Sequence, residues 1–102
     1  MDTFQALADP TRRLIIEMLA AKGKLSASDI FRKFRTSAPA ISQHLQVLRA
    51  ADLVTVEKHA QKRMYEINPE KMAEVEQWIK KLSKMWNERF DALDELLKKE
   101  VK

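Results

Sequence analysis

The segment of residues 36–54 constrains the fold more strongly than any other part of this chain. Its apolar residues Ile41, Leu45 and Leu48 fall at i, i+4 and i+7, which is the spacing of one helix face. Directly after it, apolar residues alternate every second position, which is the period of a β-strand. We therefore predict a helix followed by a pair of strands.

The opposite side of the predicted helix carries small and polar side chains. Short side chains come first, amides follow, and a cation lies near the end: Ser37, Ala38, Pro39, Ser42, Gln43, Gln46 and Arg49. A helix in the DNA major groove reads base edges with such groups, mainly from its N-terminal residues. We predict that these residues contact DNA, that Gln43 pairs with adenine, and that Pro39 mainly fixes the helix entry.

Capping residues divide the chain before this helix. Asp9-Pro10 is predicted to begin a helix over residues 10–22, and Gly23 to end it in a left-handed cap. The buried stripe of that helix is predicted at Leu14, Ile15, Met18 and Leu19. A capping box at Ser26 and Asp29 opens the next helix.

The helix with the capping box and the helix after it form a predicted helix-turn-helix over residues 26–51, with Ser37 as the second N-cap. A β-hairpin, or wing, is predicted over residues 54–67. Ala60-Gln61 suits a two-residue turn poorly, so a longer, mobile tip is expected. Lys58, Lys62 and Arg63 are predicted to contact the DNA backbone or a minor groove.

Two further helices are predicted, over residues 1–8 and 69–102. Apolar residues of the last helix recur at steps of four and three, and thirty helical residues span ~45 Å, more than the rest of the domain. Much of that stripe must therefore face another chain. The predicted dimer contacts are Phe4, Leu7, Ile79, Leu82, Trp86, Phe90 and Leu93.

Positive charge is concentrated in the middle of the chain. Residues 30–63 carry seven basic and two acidic side chains, a net charge of +5, whereas residues 1–29 balance and residues 64–102 carry −1. Such a distribution is expected of a surface that binds phosphate. A solvated basic face is the simpler alternative. Double-stranded DNA is the partner that this charge and the polar helix edge predict together.

Several function classes do not fit the composition. The chain has no cysteine, so it can form neither a disulfide nor a thiolate metal site. It has no apolar run of the ~20 residues that a membrane span needs and no signal-peptide pattern, so a cytoplasmic protein is expected. Ser42 and His44 lie two apart on one helix and point apart, so they cannot act as nucleophile and base. We predict no enzyme activity.

The order and size of these elements resemble the ArsR/SmtB family of winged-helix repressors. Residues 6–19, 37–54 and 62–68 carry the resemblance as ALADPTRRLIIEML, SAPAISQHLQVLRAADLV and KRMYEIN, and the last helix adds WIKKLSKMWNERFDAL. The resemblance covers essentially the whole chain. It implies one winged-helix domain over residues 1–102, mainly α with a β-hairpin wing (α+β), joined into a homodimer through its first and last helices. It also implies repression from an inverted-repeat operator.

The chain departs from the metal-sensing members of that family. Ser26 and Ser28 stand where those members carry cysteines, and serine hydroxyls are poor ligands for thiophilic ions. The second metal site of the family needs histidines on the last helix, and residues 69–102 contain none. We therefore expect no metal and no cofactor. The family often has glycine at Asp52, and aspartate tolerates the left-handed backbone that such a turn uses.

A different class of function also fits the pattern. A winged-helix module can serve protein assembly, with its basic face merely solvated. Binding to random duplex DNA separates the two hypotheses, because a regulator binds it weakly and loses affinity steeply with salt. The signal or small-molecule effector that would release DNA is left open.

Overall fold

The computed structural model describes residues 2–100 and shows a mainly helical chain with one small antiparallel sheet. The helices are α1 (Thr3–Leu7), α2 (Pro10–Lys22), α3 (Ala27–Phe31), α4 (Ala38–Ala50) and α5 (Pro69–Glu100). The strands are β1 (Lys24–Ser26), β2 (Val54–His59) and β3 (Lys62–Ile67). Helices α3 and α4 form the helix-turn-helix, and β2 and β3 form the wing. The predicted winged helix-turn-helix is thus confirmed.

Capping side chains set the helix starts at the predicted places. The Asp9 carboxylate accepts a hydrogen bond from the Arg12 backbone N–H at the start of α2. Ser26 forms a reciprocal capping box with Asp29 at the start of α3. Gly23 ends α2 with φ 86° as predicted, but its ψ of −76° lies outside the left-handed helical region.

Helix α2 turns a different face to the core than predicted. Its buried residues are Ile15, Ile16 and Leu19, whereas Leu14 is 50% exposed, so the prediction for Leu14 is wrong. At 100° per residue Leu14 points away from the centre of that buried face. The largest fully buried side chains among the described residues are Ile15, Leu19, Ile30, Ile41, Leu45, Leu48, Leu53 and Val54.

The sheet has the order β1-β3-β2, with β3 paired antiparallel to both neighbours. The sequence pattern did not predict β1, because three residues are too short to show a period. Leu25 of β1 lies opposite Tyr65 of β3. This pairing attaches the wing to the segment between α2 and α3.

The wing turn is shorter than predicted. His59 and Lys62 pair across the strands, so Ala60-Gln61 forms a two-residue turn and the expected longer tip is wrong. Ala60 adopts φ 55°, a left-handed conformation that costs an alanine ~1–2 kcal/mol. The continuous pairing of β2 with β3 offsets this cost.

The chain divides into two compact units, Met1–Lys71 and Met72–Lys102. The first unit, described from residue 2, contains the sheet, the first four helices and the start of α5. The second unit, described to residue 100, lies within α5. Within residues 2–100, no helix combines the length and the apolar character needed to cross a membrane.

Candidate nucleic-acid interface

Helix α4 has one buried face and one polar face. Ile41 and Leu48 are completely buried and Leu45 is 1% exposed, so one edge of the helix is fixed in the core. Gln43 and Gln46 are exposed on the other side. Arg49 is exposed there as well, and Ser42 is half-buried. The structure thus places the predicted base-contacting side chains where an external ligand can reach them.

The start of α4 is also open to solvent. The Ser37 hydroxyl accepts a hydrogen bond from the Ala40 backbone N–H at 3.4 Å and caps the helix, as predicted. Ala38 and Pro39 follow in the first turn and are exposed. Unpaired backbone N–H groups at a helix start carry partial positive charge, which favours a nearby phosphate.

A tight turn connects α4 to the wing. The backbone N–H of Leu53 donates to the Leu48 carbonyl at 3.0 Å, and Asp52 adopts φ 60° between them. At the far end of the wing, the Asn68 backbone N–H donates to the Leu53 carbonyl at 3.0 Å, and its Nδ2 donates to the Asp52 carbonyl at 2.9 Å. Asn68 therefore holds both ends of the wing at the end of α4. No local sequence pattern indicates this role, because the carbonyl that accepts from Asn68 Nδ2 belongs to a residue sixteen positions earlier.

The wing tip, defined here by Lys58, Lys62 and Arg63, carries an unbalanced cluster of cations. Lys58 lies directly opposite Arg63 across the strands, and all three side chains are exposed. Like charges at directly opposed positions destabilise a sheet. None of the three forms an ion pair with another described residue. An anionic ligand such as a phosphate backbone would relieve this repulsion.

His44 belongs to a polar contact between α4 and the start of α2. Its Nδ1 lies 3.2 Å from Nη1 of Arg12 and 3.9 Å from the Asp9 carboxylate. The side chain is 25% exposed, so His44 lies partly buried between α4 and the start of α2.

Arg12 is a functional candidate that sequence reasoning missed. Its Nε donates to the Ala6 carbonyl at 2.6 Å, so one side chain joins the end of α1 to His44 of α4. The hydrogen bond from the Arg12 backbone N–H lowers the pKa of Asp9 below its ordinary value, and the charges of His44 and Arg12 lower it further. No local sequence signal identifies Arg12, because arginine is common in the first turn of a helix. Its contact with His44, thirty-two residues later, is seen only in the folded structure.

Ser26 and Ser28 stand where the resemblance places the metal ligands of related sensors, and this segment caps helix α3. Ser26 is 4% exposed, and its hydroxyl accepts the Asp29 backbone N–H at 3.1 Å. Asp29 also pairs with Arg32, and its pKa is lowered first by the hydrogen bonds with Ser26 and then by Arg32. Across residues 2–100, no three histidine or acidic side chains gather as a metal site. The hydroxyls of Ser26 and Ser28 do not fit a thiophilic ion.

The predicted dimer contacts lie on exposed or half-buried surface. Phe4 of α1 is 47% exposed and Leu7 is half-buried. The five positions on α5 range from 43% to 59% exposed: Ile79, Leu82, Trp86, Phe90 and Leu93. The Trp86 and Phe90 rings pack edge to face with centroids 5.0 Å apart. Each unit therefore presents apolar side chains that its own packing does not bury.

Comparison with known proteins gives a consistent result. Residues 9–56 match the model of a family described as bacterial regulatory protein, arsR family. The chain is 44% identical over 70 residues to the HTH-type transcriptional regulator Rv2034 of Mycobacterium tuberculosis, an alignment that covers 69% of this chain and 64% of that one. It is 33% identical over 78 residues to the transcriptional repressor SdpR of Bacillus subtilis, covering 76% and 86%.

Solved structures show the same similarity in three dimensions. An ArsR-like transcriptional regulator from Rhodococcus sp. RHA1 superposes with a TM-score of 0.75 at 27% identity, covering 91% of this chain and 87% of that one. The chain spans slightly less than two thirds of the length of Rv2034 but most of the length of SdpR. The matched family segment begins at Asp9 and runs through α4 into β2.

Proposed function

Because this chain belongs to the ArsR family of bacterial regulatory proteins, which regulate transcription by binding DNA and are not enzymes, we propose that it is a homodimeric repressor acting on an inverted-repeat operator. The observation that carries the proposal is the division of α4 into a buried edge and an exposed polar edge. The exposed edge has the side-chain chemistry of base readout.

In this proposal the two exposed elements of the first unit have different roles. Gln43 of α4 pairs with a base in the major groove, while Ser42 and Gln46 contact neighbouring bases or phosphates. Ser37, Ala38, Pro39 and Arg49 set the position of the helix against the DNA backbone. The cations of the wing tip neutralise phosphates or enter a minor groove, and so contribute affinity more than sequence preference.

A two-fold dimer explains the inverted repeat. Two copies of α4 reach successive major grooves when they lie roughly 34 Å apart, which corresponds to half-sites about one helical turn apart. The exposed apolar residues of α1 and those of α5 each support the dimer, since large apolar side chains are more stable when another surface covers them. We propose Phe4, Leu7 and the five exposed α5 positions above as dimer contacts.

We further propose that operator binding does not respond to metal ions, and that the protein acts in the cytoplasm, where its DNA target lies. Ser26 supports the first proposal, because its hydroxyl is already engaged as the α3 cap. Addition of zinc, cadmium or arsenite should leave operator affinity unchanged. A stoichiometric, metal-driven release from DNA would contradict this proposal.

Selection of bound sites from a random duplex pool tests the proposed function. We expect recovered sites to share an inverted repeat, and their affinity to fall steeply as salt rises. A variant with Lys58, Lys62 and Arg63 all changed to alanine serves as the control and should select the same sequence more weakly. Failure to bind any duplex at low salt would instead favour a protein-assembly module.

A further inference from the structure

Two consecutive arginines in the first turn of α2 hold the end of α1. Together their guanidinium groups donate to four successive backbone carbonyls at 2.6–3.3 Å, those of Gln5, Ala6, Leu7 and Ala8. Arg12 donates to the first two carbonyls and Arg13 to the last two. The last carbonyls of a helix lack partners further along that helix, so cationic side chains stabilise them. Both arginines therefore fix the end of α1 against α2.

The two arginines differ in what else they contact. Nη1 of Arg12 lies 3.2 Å from Nδ1 of His44 in α4. The Arg13 side chain is exposed, and within residues 2–100 it has no hydrogen bond to α4. Because a guanidinium group is a rigid planar fork, the Arg12 contact with α1 sets where its other nitrogen meets α4. One side chain of α2 thus connects α1 with α4, and its neighbour does not.

The Asp9 carboxylate supports the Arg12 contact from the start of α2. It accepts a hydrogen bond from the Arg12 backbone N–H at 3.0 Å and lies 3.9 Å from Nδ1 of His44. The Asp9 and His44 side chains are only 31% and 25% exposed, and salt screens charges less where they are partly buried. Asp9, Arg12 and His44 therefore form one polar cluster where α2 meets α4.

This cluster adds a directional contact to a helix that is otherwise held by apolar packing. The buried face of α4 anchors the helix in the core, but hydrophobic attraction is non-directional. A hydrogen bond, in contrast, weakens steeply when its angle changes. His44 follows Gln43 directly in the sequence. Any rotation of α4 about its axis that broke the contact with Arg12 would therefore also move the Gln43 amide.

We infer that Arg12 is a positioning residue for DNA recognition, which fixes the rotation of α4 against α1. In this role Arg12 acts through His44 and does not contact DNA itself. Helix α1 also carries Phe4 and Leu7 of the proposed dimer surface, so the same side chain holds that surface and α4 in one arrangement. This inference rests on the proposed DNA binding and adds a residue that controls it from outside the interface.

Operator discrimination tests this role, measured by fluorescence anisotropy as the ratio of affinities for the selected operator and a scrambled duplex of equal length. Arg12→Ala and His44→Ala should each lower this ratio about five- to tenfold, the size expected when a coupling contact outside the ligand site is removed. Arg13→Ala is the matched control, because it removes contacts with the end of α1 but none with α4. It should change the ratio by less than about twofold.

The double variant Arg12→Ala/His44→Ala separates positioning from a direct contact between His44 and DNA. If the two residues act as one contact, the double variant should lose no more discrimination than either single variant. Multiplied losses would show two independent roles and would overturn the inference. An equal loss of affinity for both duplexes in His44→Ala, with the ratio unchanged, would also overturn it, because that result indicates a phosphate contact.

A conservative variant tests whether the fork or only the charge of Arg12 is needed. Arg12→Lys keeps the charge but not the planar fork, so it should lose discrimination as Arg12→Ala does. Full retention by Arg12→Lys would overturn the inference. His44→Ala leaves the end of α1 intact, so it decides the question if Arg12→Ala fails to fold. Unchanged ratios in a natural chain that binds its operator overturn only the positioning role, whereas a natural chain that binds no duplex overturns the proposed function as well.

Discussion

The two units of this chain use apolar residues in opposite ways. In the first unit Leu45, Leu48 and Leu53 are at most 1% exposed, so the unit completes its own core. In the second unit Leu82, Trp86 and Phe90 are 43–59% exposed. Hydrophobic free energy is gained in the first unit when the chain folds, and in the second only when another surface covers α5. The apolar residues of the first unit therefore stabilise its own fold, whereas those of the second unit are available to contact another surface.

The largest expected effect is on the stability of the first unit, through its buried core. Leu45→Ala should lower the free energy of unfolding of the first unit by about 2–5 kcal/mol, because it leaves a cavity in a packed core. Leu82→Ala is the matched control, since the same side chain is removed from exposed surface. It should leave unfolding of the first unit nearly unchanged. Chemical denaturation followed by circular dichroism at low protein concentration measures both variants.

The second largest expected effect is on dimerisation, through the exposed apolar residues of α5. Trp86→Ala should weaken the proposed dimerisation by about 2–4 kcal/mol, because large aromatic side chains are among the few interface residues that carry most of the binding energy. Met85→Ala serves as a control on the same helix, since Met85 is 57% exposed but is not one of the proposed dimer contacts. Sedimentation equilibrium measures both dissociation constants. Equal effects of the two changes would show that the proposed α5 contacts do not define the interface.

A smaller effect separates the two DNA-contacting elements within the first unit. Gln43→Ala should cost on the order of 1–3 kcal/mol per base contact and relax the preference at one position of each half-site. Arg63→Ala should weaken all duplexes evenly and reduce the salt slope by about one. Fluorescence anisotropy on operator and scrambled duplexes measures both. If Arg63→Ala changed the preferred sequence and Gln43→Ala did not, the two roles would be reversed.

The smallest expected effect concerns pH and is confined to the first unit. The pKa values of Asp9 and Asp29 are lowered in the folded state by capping hydrogen bonds. Their contribution is therefore complete above the ordinary aspartate pKa, near ~4, and is lost as the pH falls through the lower folded values. Unfolding free energy should decline in that acid range, and Asp9→Asn/Asp29→Asn should decline less. An equally steep decline in the double variant would contradict this assignment.

Local chemistry made much of the first unit predictable from the sequence. Helix α2 begins after Asp9 and ends at Gly23, as predicted, and Ser37 caps α4. These ends are predictable because each capping residue acts on backbone groups within a few residues. The separation of Leu45 from Gln43 and Gln46 followed from the helical period alone. These local signals place the candidate DNA-contacting residues of α4 on its exposed side.

The features that sequence reasoning missed depend on distant partners. The short strand β1 exists because Leu25 can pair beside Tyr65, forty residues later. The contact between Arg12 and His44 spans thirty-two residues. Ala60 forms a tight turn despite its unfavourable φ, because pairing extends to His59 and Lys62. No local pattern reports such pairings, since they are decided by packing of the whole unit.

Operator binding with altered half-site spacing tests the central claim most directly, namely that two copies of the first unit read DNA together because α5 joins them. The selected inverted repeat is compared with one carrying five additional base pairs between its half-sites, which turns one α4 site to the opposite side of the duplex. We expect the affinity of the natural chain to fall at least tenfold, and that of the Trp86→Ala variant to be nearly insensitive to the insertion. Equal affinity of the natural chain for both duplexes would contradict the account.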